Sequence, residues 1–196
     1  MARVYARIAG QHGVAIGEDV VRERFMQAFA RKSPGPRYEG DGGPFWRALV
    51  AEVLGSSDEA LFQALYTAYA EPAAWRISPG ALVAFDRARA AGVRVAVVSD
   101  WDTRLRPLLA AMGVLDRIDA LVVSCEVGAE KPDPALFLAA CRALGVTPGH
   151  ALHVGDDPDR DVAGARAAGC AAWRIGTEVP SVAAAVERML DAEASA

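Results

Sequence analysis

The sequence predicts an α/β fold in which a parallel sheet follows an all-helical N-terminal segment. From Met1 to about Glu71 the apolar residues recur at helical spacing, and after Pro72 short apolar runs alternate with helical stretches. Alternation of that kind implies βαβ units around a parallel sheet. A third observation concerns where the polar residues fall. VRVAVVSD (Val93 to Asp100), EKPDP (Glu130 to Pro134) and HVGDDPDRD (His153 to Asp161) each put polar groups just beyond an apolar run. In an open parallel sheet, ligands bind outside the carboxyl ends of the strands, so these three segments converge on one crevice.

The helical segment comes first. Trp46, Leu49, Val50, Val53 and Leu54 stand at i, i+3, i+4, i+7 and i+8, and Phe62, Leu65, Tyr66 and Tyr69 repeat most of that stripe. Lys32 to Pro44 is rich in proline and glycine and reads as a loop between helical pairs. Aromatic residues such as Trp46 and Trp75 suit helix packing better than a ligand cage. Next, Pro79 and Gly80 open a helix to about Ala91, Gly92 ends it, and Val93 to Val98 form a strand apolar enough to be buried on both faces. Helices over about Thr103–Met112, Pro134–Leu144 and Asp159–Ala168 alternate with strands over Ala120–Val123, Ala151–Val154 and Ala171–Ile175, and one closing helix follows Val179. The boundary between helical segment and α/β part falls at residues 74 and 75.

Composition narrows the function classes. A formal charge of −4 with arginines scattered rather than striped lacks the basic footprint of a nucleic-acid binder. No apolar run approaches the roughly 18 residues of a membrane span, and MARVYARIAGQHG has no stretch suited to a signal peptide, so a cytoplasmic location is expected. Cys125, Cys141 and Cys170 are odd in number and widely spaced, which suits buried thiols rather than a disulfide framework or zinc knuckle. His12 and His150 are expected to face solvent, and His153, inside a strand, to sit in the core.

GDDPDRD is the strongest chemical signal. Asp156, Asp157, Asp159 and Asp161 crowd one strand-to-helix turn. Like charges at that density repel unless a cation compensates them, and carboxylate oxygens with water are what Mg2+ takes. Capping of the next helix competes as an explanation, and for Asp157 or Asp159 alone it is preferred. Lys131 precedes Pro132, which holds it extended and lets it act as a point charge for a phosphoryl group. Ser99 ends its strand with a hydroxyl donor.

Together these segments resemble motifs two, three and four of the haloacid dehalogenase-like (HAD) hydrolases, in the subgroup with a helical cap inserted after the first strand. The resemblance covers nearly the whole chain. It implies a Rossmann-like parallel core over residues 75–196 and a helical cap over residues 1–74, with the first core strand and its terminal Asp-x-Asp missing from this chain. In the family, the first of those aspartates attacks phosphorus and the second acts as general acid and base. The resemblance further implies that Asp156 and Asp161 position Mg2+, that Lys131 and Ser99 are catalytic, and that Ser99, Asp100 and Lys131 contact the substrate. Asp100 stands where many relatives carry Asn. The implied activity is Mg2+-dependent hydrolysis of a small phosphorylated or other anionic substrate, by a chain inactive as given.

Three alternatives stay open. Asp100-Trp101-Asp102-Thr103 itself has the form Asp-x-Asp, which would make Asp100 the nucleophile. Against it, Arg104 stands where the family pattern has Thr or Val, and only Ser124 could then serve motif two, seven residues before Lys131, whereas Ser99 precedes Lys131 by 32. A catalytically dead anion-binding or regulatory domain is the second alternative. Hydrolysis in the manner of a 2-haloacid dehalogenase is the third, and Asp156 argues against it. In the family the missing strand lies between the strands ending at Ser99 and Gly155, so its loss exposes two ladder edges. At roughly 1–3 kcal/mol per stranded backbone group, a few such groups rival a total stability of about 5–15 kcal/mol. An unstable chain is expected, unless the two strands re-pair directly, the chain oligomerises or a strand comes from another chain.

Overall fold

The computed structural model describes residues 1–32 and 41–194. In chain order its elements are α1 (Ala2–Gln11), α2 (Glu18–Lys32), α3 (Gly43–Leu54), α4 (Glu59–Ala68), α5 (Ala81–Ala90), β1 (Ala96–Ser99), α6 (Leu105–Ala111), β2 (Ala120–Val123), α7 (Ser124–Val127), α8 (Pro134–Leu144), β3 (Leu152–Gly155), a π-helical turn (Pro158–Ala163), α9 (Gly164–Ala167), β4 (Ala171–Arg174) and α10 (Val182–Ala194). The chain divides into two compact units, Met1–Arg76 with Asp102–Leu108, and Ile77–Trp101 with Leu109–Ala196.

The first unit is helical. Its core is drawn from one stripe of each helix, Tyr5 and Ile8 of α1, Val21 of α2, Leu49 and Val53 of α3, and Leu61 and Leu65 of α4. Leu49, Val53 and Leu61 are fully buried, each worth roughly 1.5–3 kcal/mol of transfer free energy. Asp58 caps α4 by accepting from Leu61 N at 3.0 Å. The aromatics pack as expected: Trp46 stands edge-on to Phe45 with ring centroids 5.2 Å apart, and Trp75 stands edge-on to Tyr69 while its Nε1 donates to the Tyr69 carbonyl at 2.9 Å. Residues 33–40 of the expected loop lie outside the described residues.

Asp102 is the unit's most enclosed polar group, with no solvent exposure. Arg104 grips it through Nε to Oδ1 at 2.9 Å and Nη2 to Oδ2 at 2.8 Å, and Trp46 Nε1 donates to Oδ2 at 3.1 Å. Arg104 Nη1 donates to the Tyr66 carbonyl at 2.8 Å, with its guanidinium 3.4 Å from the centre of the Tyr66 ring. The buried charge is therefore both paired and hydrogen-bonded, the condition under which burial is tolerated.

The second unit alternates strands and helices, with parallel pairing. β1 pairs with β2 from Ala96 opposite Ala120 to Ser99 opposite Val123, and β3 with β4 from Leu152 opposite Ala171 to Gly155 opposite Arg174. These are two separate two-stranded sheets; among the described residues no ladder joins β1 to β3. Every residue of β1 and β3 is only half-buried, where the apolar run at Val93–Val98 predicts burial on both faces. Each strand has a neighbour on one side, so the other side stays accessible.

α8 holds the two sheets together. Leu136 and Ala140, one turn apart, pack with Val122, Ala96 and Val98, while Phe137 and Cys141 on the adjoining stripe pack with Val162, Ala165 and Ala172. Asp133 caps α8 by accepting from Ala135 N at 2.8 Å, Pro134 fills its first position, and Gly145 ends it at φ +64°. Both sheets thus present their carboxyl ends beside the segment that leads into α8.

Candidate active site

Lys131 links the strand ends. Its backbone N–H donates to Asp100 Oδ1, just beyond β1, at 2.8 Å, and its Nζ donates to Asp161 Oδ1, in the turn after β3, at 2.6 Å. Asp100 Oδ2 accepts from Arg160 Nη2 of the same turn. The Asp100 and Asp161 side chains are 8% and 6% exposed, so both charges require the partners they have. Four charged groups, two of each sign, are thereby brought together from chain positions up to 61 residues apart, Asp100 to Asp161.

Asp161 is positioned by the shape of its turn. Asp157 caps it, with Oδ1 accepting from Asp159 N and Arg160 N, both at 2.9 Å. The sequence predicts an α-helix over Asp159–Ala168; Pro158–Ala163 instead form a wider π-helical turn, a feature frequent at functional sites. Inside it Asp161 folds back onto Gly155, where any Cβ would stand 2.3 Å from the Asp161 carboxyl carbon. Glycine there is a steric requirement of the carboxylate. Gly164 has a similar role, since its Cβ would stand 2.8 Å from the Phe137 ring and 2.9 Å from the Pro132 backbone. The Lys131–Pro132 peptide is cis.

Burial on its own pushes the Asp161 carboxyl up. Hydrogen bonds from His153 and Lys131, the Lys131 charge and the Asp157 N–H outweigh it and hold the group well below the usual carboxylate range. His153 Nε2 lies 3.3 Å from Asp161 Oδ1, and the imidazole stands edge-on to Phe137 with ring centroids 5.0 Å apart. It is therefore half-buried against the site as well as packed in the core. His12 and His150 are exposed, as expected.

Of the residues singled out in the sequence, Asp100, Lys131 and Asp161 meet directly. Ser99 ends β1 opposite Val123, one residue from Asp100. Asp156 is exposed, next to Gly155, and its carbonyl accepts from Arg174 Nε at 3.3 Å. Ser124 is buried, exchanges hydrogen bonds with the Trp101 backbone at 3.0 Å, and so ties the end of β1 to the end of β2. Arg160 and His153 join this cluster although the motifs do not single them out. Arg160 was detectable: it is the one cation inside GDDPDRD, and an acidic Asp100 calls for a compensating positive charge.

Asp156 and Asp161 are hard oxygen donors, and Mg2+ typically takes one or two carboxylates and keeps water for the rest of its shell. Their donor chemistry fits that ion. The hydrogen bonding sets a condition on it: both Asp161 oxygens already accept, Oδ1 from Lys131 and Oδ2 from Asp157 N at 3.1 Å. A cation at Asp161 must share or displace the Lys131 contact. Among the described residues no three of His, Cys, Asp and Glu converge as a metal-binding group.

Parallel strands with charged loops gathered at their carboxyl ends, around a paired lysine and aspartate, define an α/β protein with its ligand end at the strand termini. The family model of the haloacid dehalogenase-like hydrolases matches residues 4–169, and the chain belongs to that family. Haloacid dehalogenase-like hydrolase domain-containing protein 3 of Mus musculus is 30% identical over 188 residues, covering 90% of this chain and 75% of its own. The phosphoserine phosphatase of Thermus thermophilus is 35% identical over 136 residues, 67% of this chain and 55% of its own. Among solved structures, the L-2-haloacid dehalogenase of Xanthobacter autotrophicus superposes with a TM-score of 0.69 at 23% identity, over 97% of this chain and 78% of its own, a likeness of fold. No helix among the described residues is long and apolar enough to cross a membrane.

Proposed function

We propose that this chain is the helical cap, residues 1–74, and most of the core, residues 75–196, of a cytoplasmic, Mg2+-dependent hydrolase of small phosphomonoesters. The observation that carries the reading is the double engagement of Lys131, with its amide on Asp100 and its ammonium on Asp161. That arrangement assembles the second, third and fourth family motifs at one end of the unit. The name of the Thermus relative directs the reading to a phosphorylated substrate.

In this proposal Asp156 and Asp161 hold Mg2+, which when bound neutralises charge on a phosphoryl group. The Lys131 ammonium adds a second positive charge, and the Ser99 hydroxyl donates to a phosphate oxygen. Asp100, where many relatives carry Asn, does not leave an uncompensated negative charge at the pocket, because Arg160 pairs with it. The nucleophile and the acid/base lie outside these residues, on a strand that fits between β1 and β3. The unpaired edges of those two strands support that placement.

Asp100 as nucleophile is the weaker reading. Its carboxylate is committed to Arg160 and Lys131, and Asp102, its would-be acid/base, is fully buried against Arg104. The same commitments favour one second reading, a non-catalytic anion-binding domain. The test is release of inorganic phosphate from an aryl phosphate by the chain joined to a strand ending in Asp-x-Asp. Mg2+-dependent release, abolished by Asp156→Ala, is expected. Phosphate binding without turnover would favour the anion-binding domain, and release undiminished in EDTA or release of halide alone would overturn the assignment.

A further inference from the structure

Two cysteines that no part of the proposed chemistry uses lie against each other in the second unit. Cys141 on α8 and Cys170, the residue before β4, are both buried, with their Sγ atoms 3.8 Å apart. The backbone on each side is fixed: Cys141 O accepts from Val146 N at the end of α8, and Cys170 N donates to the Ala165 carbonyl of α9, both at 3.0 Å. Their surroundings are apolar, formed by Phe137, Val162, Ala165, Ala168 and Ala172. A disulfide has its sulfurs about 2.05 Å apart, so the two Sγ atoms must close by about 1.8 Å to bond.

We propose that Cys141 and Cys170 are a disulfide-forming oxidation site, converted by hydrogen peroxide. One thiolate attacks a peroxide oxygen, forming an S–O bond as the O–O bond breaks, and the departing hydroxide takes up a proton to leave as water. The second thiol attacks that sulfenic sulfur; the S–S bond forms, the S–O bond breaks, and the hydroxyl leaves with the thiol proton as a second water. Two electrons pass from the sulfurs to the peroxide. The bridge would span from α8, whose first turn follows Lys131, to the strand after α9, and so enclose Asp156, Arg160 and Asp161 in one covalent loop. This inference goes beyond the phosphatase reading and stands without it.

Oxidation is slow at neutral pH, because burial, with the Cys141 sulfur beside it, pushes the Cys170 thiol up to about 11 and keeps thiolate scarce. Cys125, only half-buried, serves as the internal reference. The 196-residue chain is treated with hydrogen peroxide in native buffer, its remaining thiols are alkylated in denaturant, and its peptides are mapped without reduction. The expected result is a monomer with Cys141 linked to Cys170 and Cys125 alone alkylated, reversed by dithiothreitol and absent from Cys141→Ser. The same treatment of the urea-unfolded chain should scatter the pairing among all three cysteines. Three alkylated thiols after peroxide, a bridge to Cys125, or a disulfide between chains would each overturn the proposal.

Discussion

Replacing Lys131 with methionine removes the ammonium while keeping most of the aliphatic stem. Nζ lies 2.6 Å from Asp161 Oδ1, with side chains 14% and 6% exposed. At an effective dielectric near 20 the gross attraction at that distance is about 6 kcal/mol, much of it offset by desolvation of the two ions. Breaking a buried pair from one side typically costs about 3–5 kcal/mol. Asp161 keeps His153 at 3.3 Å and the Asp157 N–H at 3.1 Å, which places Lys131→Met at about 2–4 kcal/mol. Asp161→Asn should cost a similar amount, and the double substitution less than the sum by about 1.5 kcal/mol or more. Urea unfolding at pH 7, with m unchanged, measures all three. Because the folded-state pKa of Asp161 is depressed, the stability it contributes is present above its unfolded value near 4 and is lost as pH falls through the folded one. The Lys131→Met deficit should therefore shrink in acid. A deficit under about 0.5 kcal/mol at pH 7, strict additivity, or a deficit unchanged at low pH would show that the Lys131–Asp161 pair does not stabilise the fold.

Gly155→Ala must displace the Asp161 carboxylate and should cost about 1–3 kcal/mol together with the protection of the Lys131 ammonium from acylating reagents, read by urea unfolding and peptide mapping. Asp102→Ala leaves Arg104 buried without its carboxylate and should destabilise by about 3–5 kcal/mol, with a change in Trp46 fluorescence; a silent substitution would show that the pair does not hold that unit together. The raised Cys170 thiol keeps its stability contribution below an unfolded value near 8.5 and loses it as pH rises toward about 11, at no more than about 1.4 kcal/mol per pH unit. Cys170→Ser should flatten that alkaline decline in the urea midpoint.

Alternation of apolar runs and helical stretches was enough to find each strand among the described residues, because β-branched and small apolar residues bounded by turns leave little choice. β2 falls on Ala120–Val123 as read. The strand before it does not: Val93 to Val95 lie ahead of the ladder, since β2 begins opposite Ala96, and the strand runs on to Ser99. The helix after Asp100 starts at Leu105 rather than Thr103 because Asp102 spends its backbone and side-chain oxygens on Leu105 N and Arg104 N. The motif residues were legible as a set, but their pairing was not. Arg160 with Asp100, and Trp46 with Asp102, join positions 60 and 56 residues apart, and periodicity carries no information at that range. The half-buried state of Cys125 was also missed, for it follows β2 at the exposed end of the sheet.

On the proposed function, these residues form a phosphoryl cradle whose nucleophile arrives on a strand seated between β1 and β3. The direct measurement is turnover of an aryl phosphate with Mg2+, by the 196-residue chain and by the same chain extended at its N-terminus through the in-frame upstream codons. Within about twenty to thirty codons these should encode a short apolar run ending in Asp-x-Asp or Asp-x-Gly, the length a strand and loop require. The expected result is background turnover by the shorter chain and metal-dependent turnover by the longer one, abolished by replacing the first aspartate of that run with asparagine. Robust metal-dependent turnover by the 196-residue chain, lost on Asp100→Asn with the fold intact, would contradict it and make Asp100 the nucleophile.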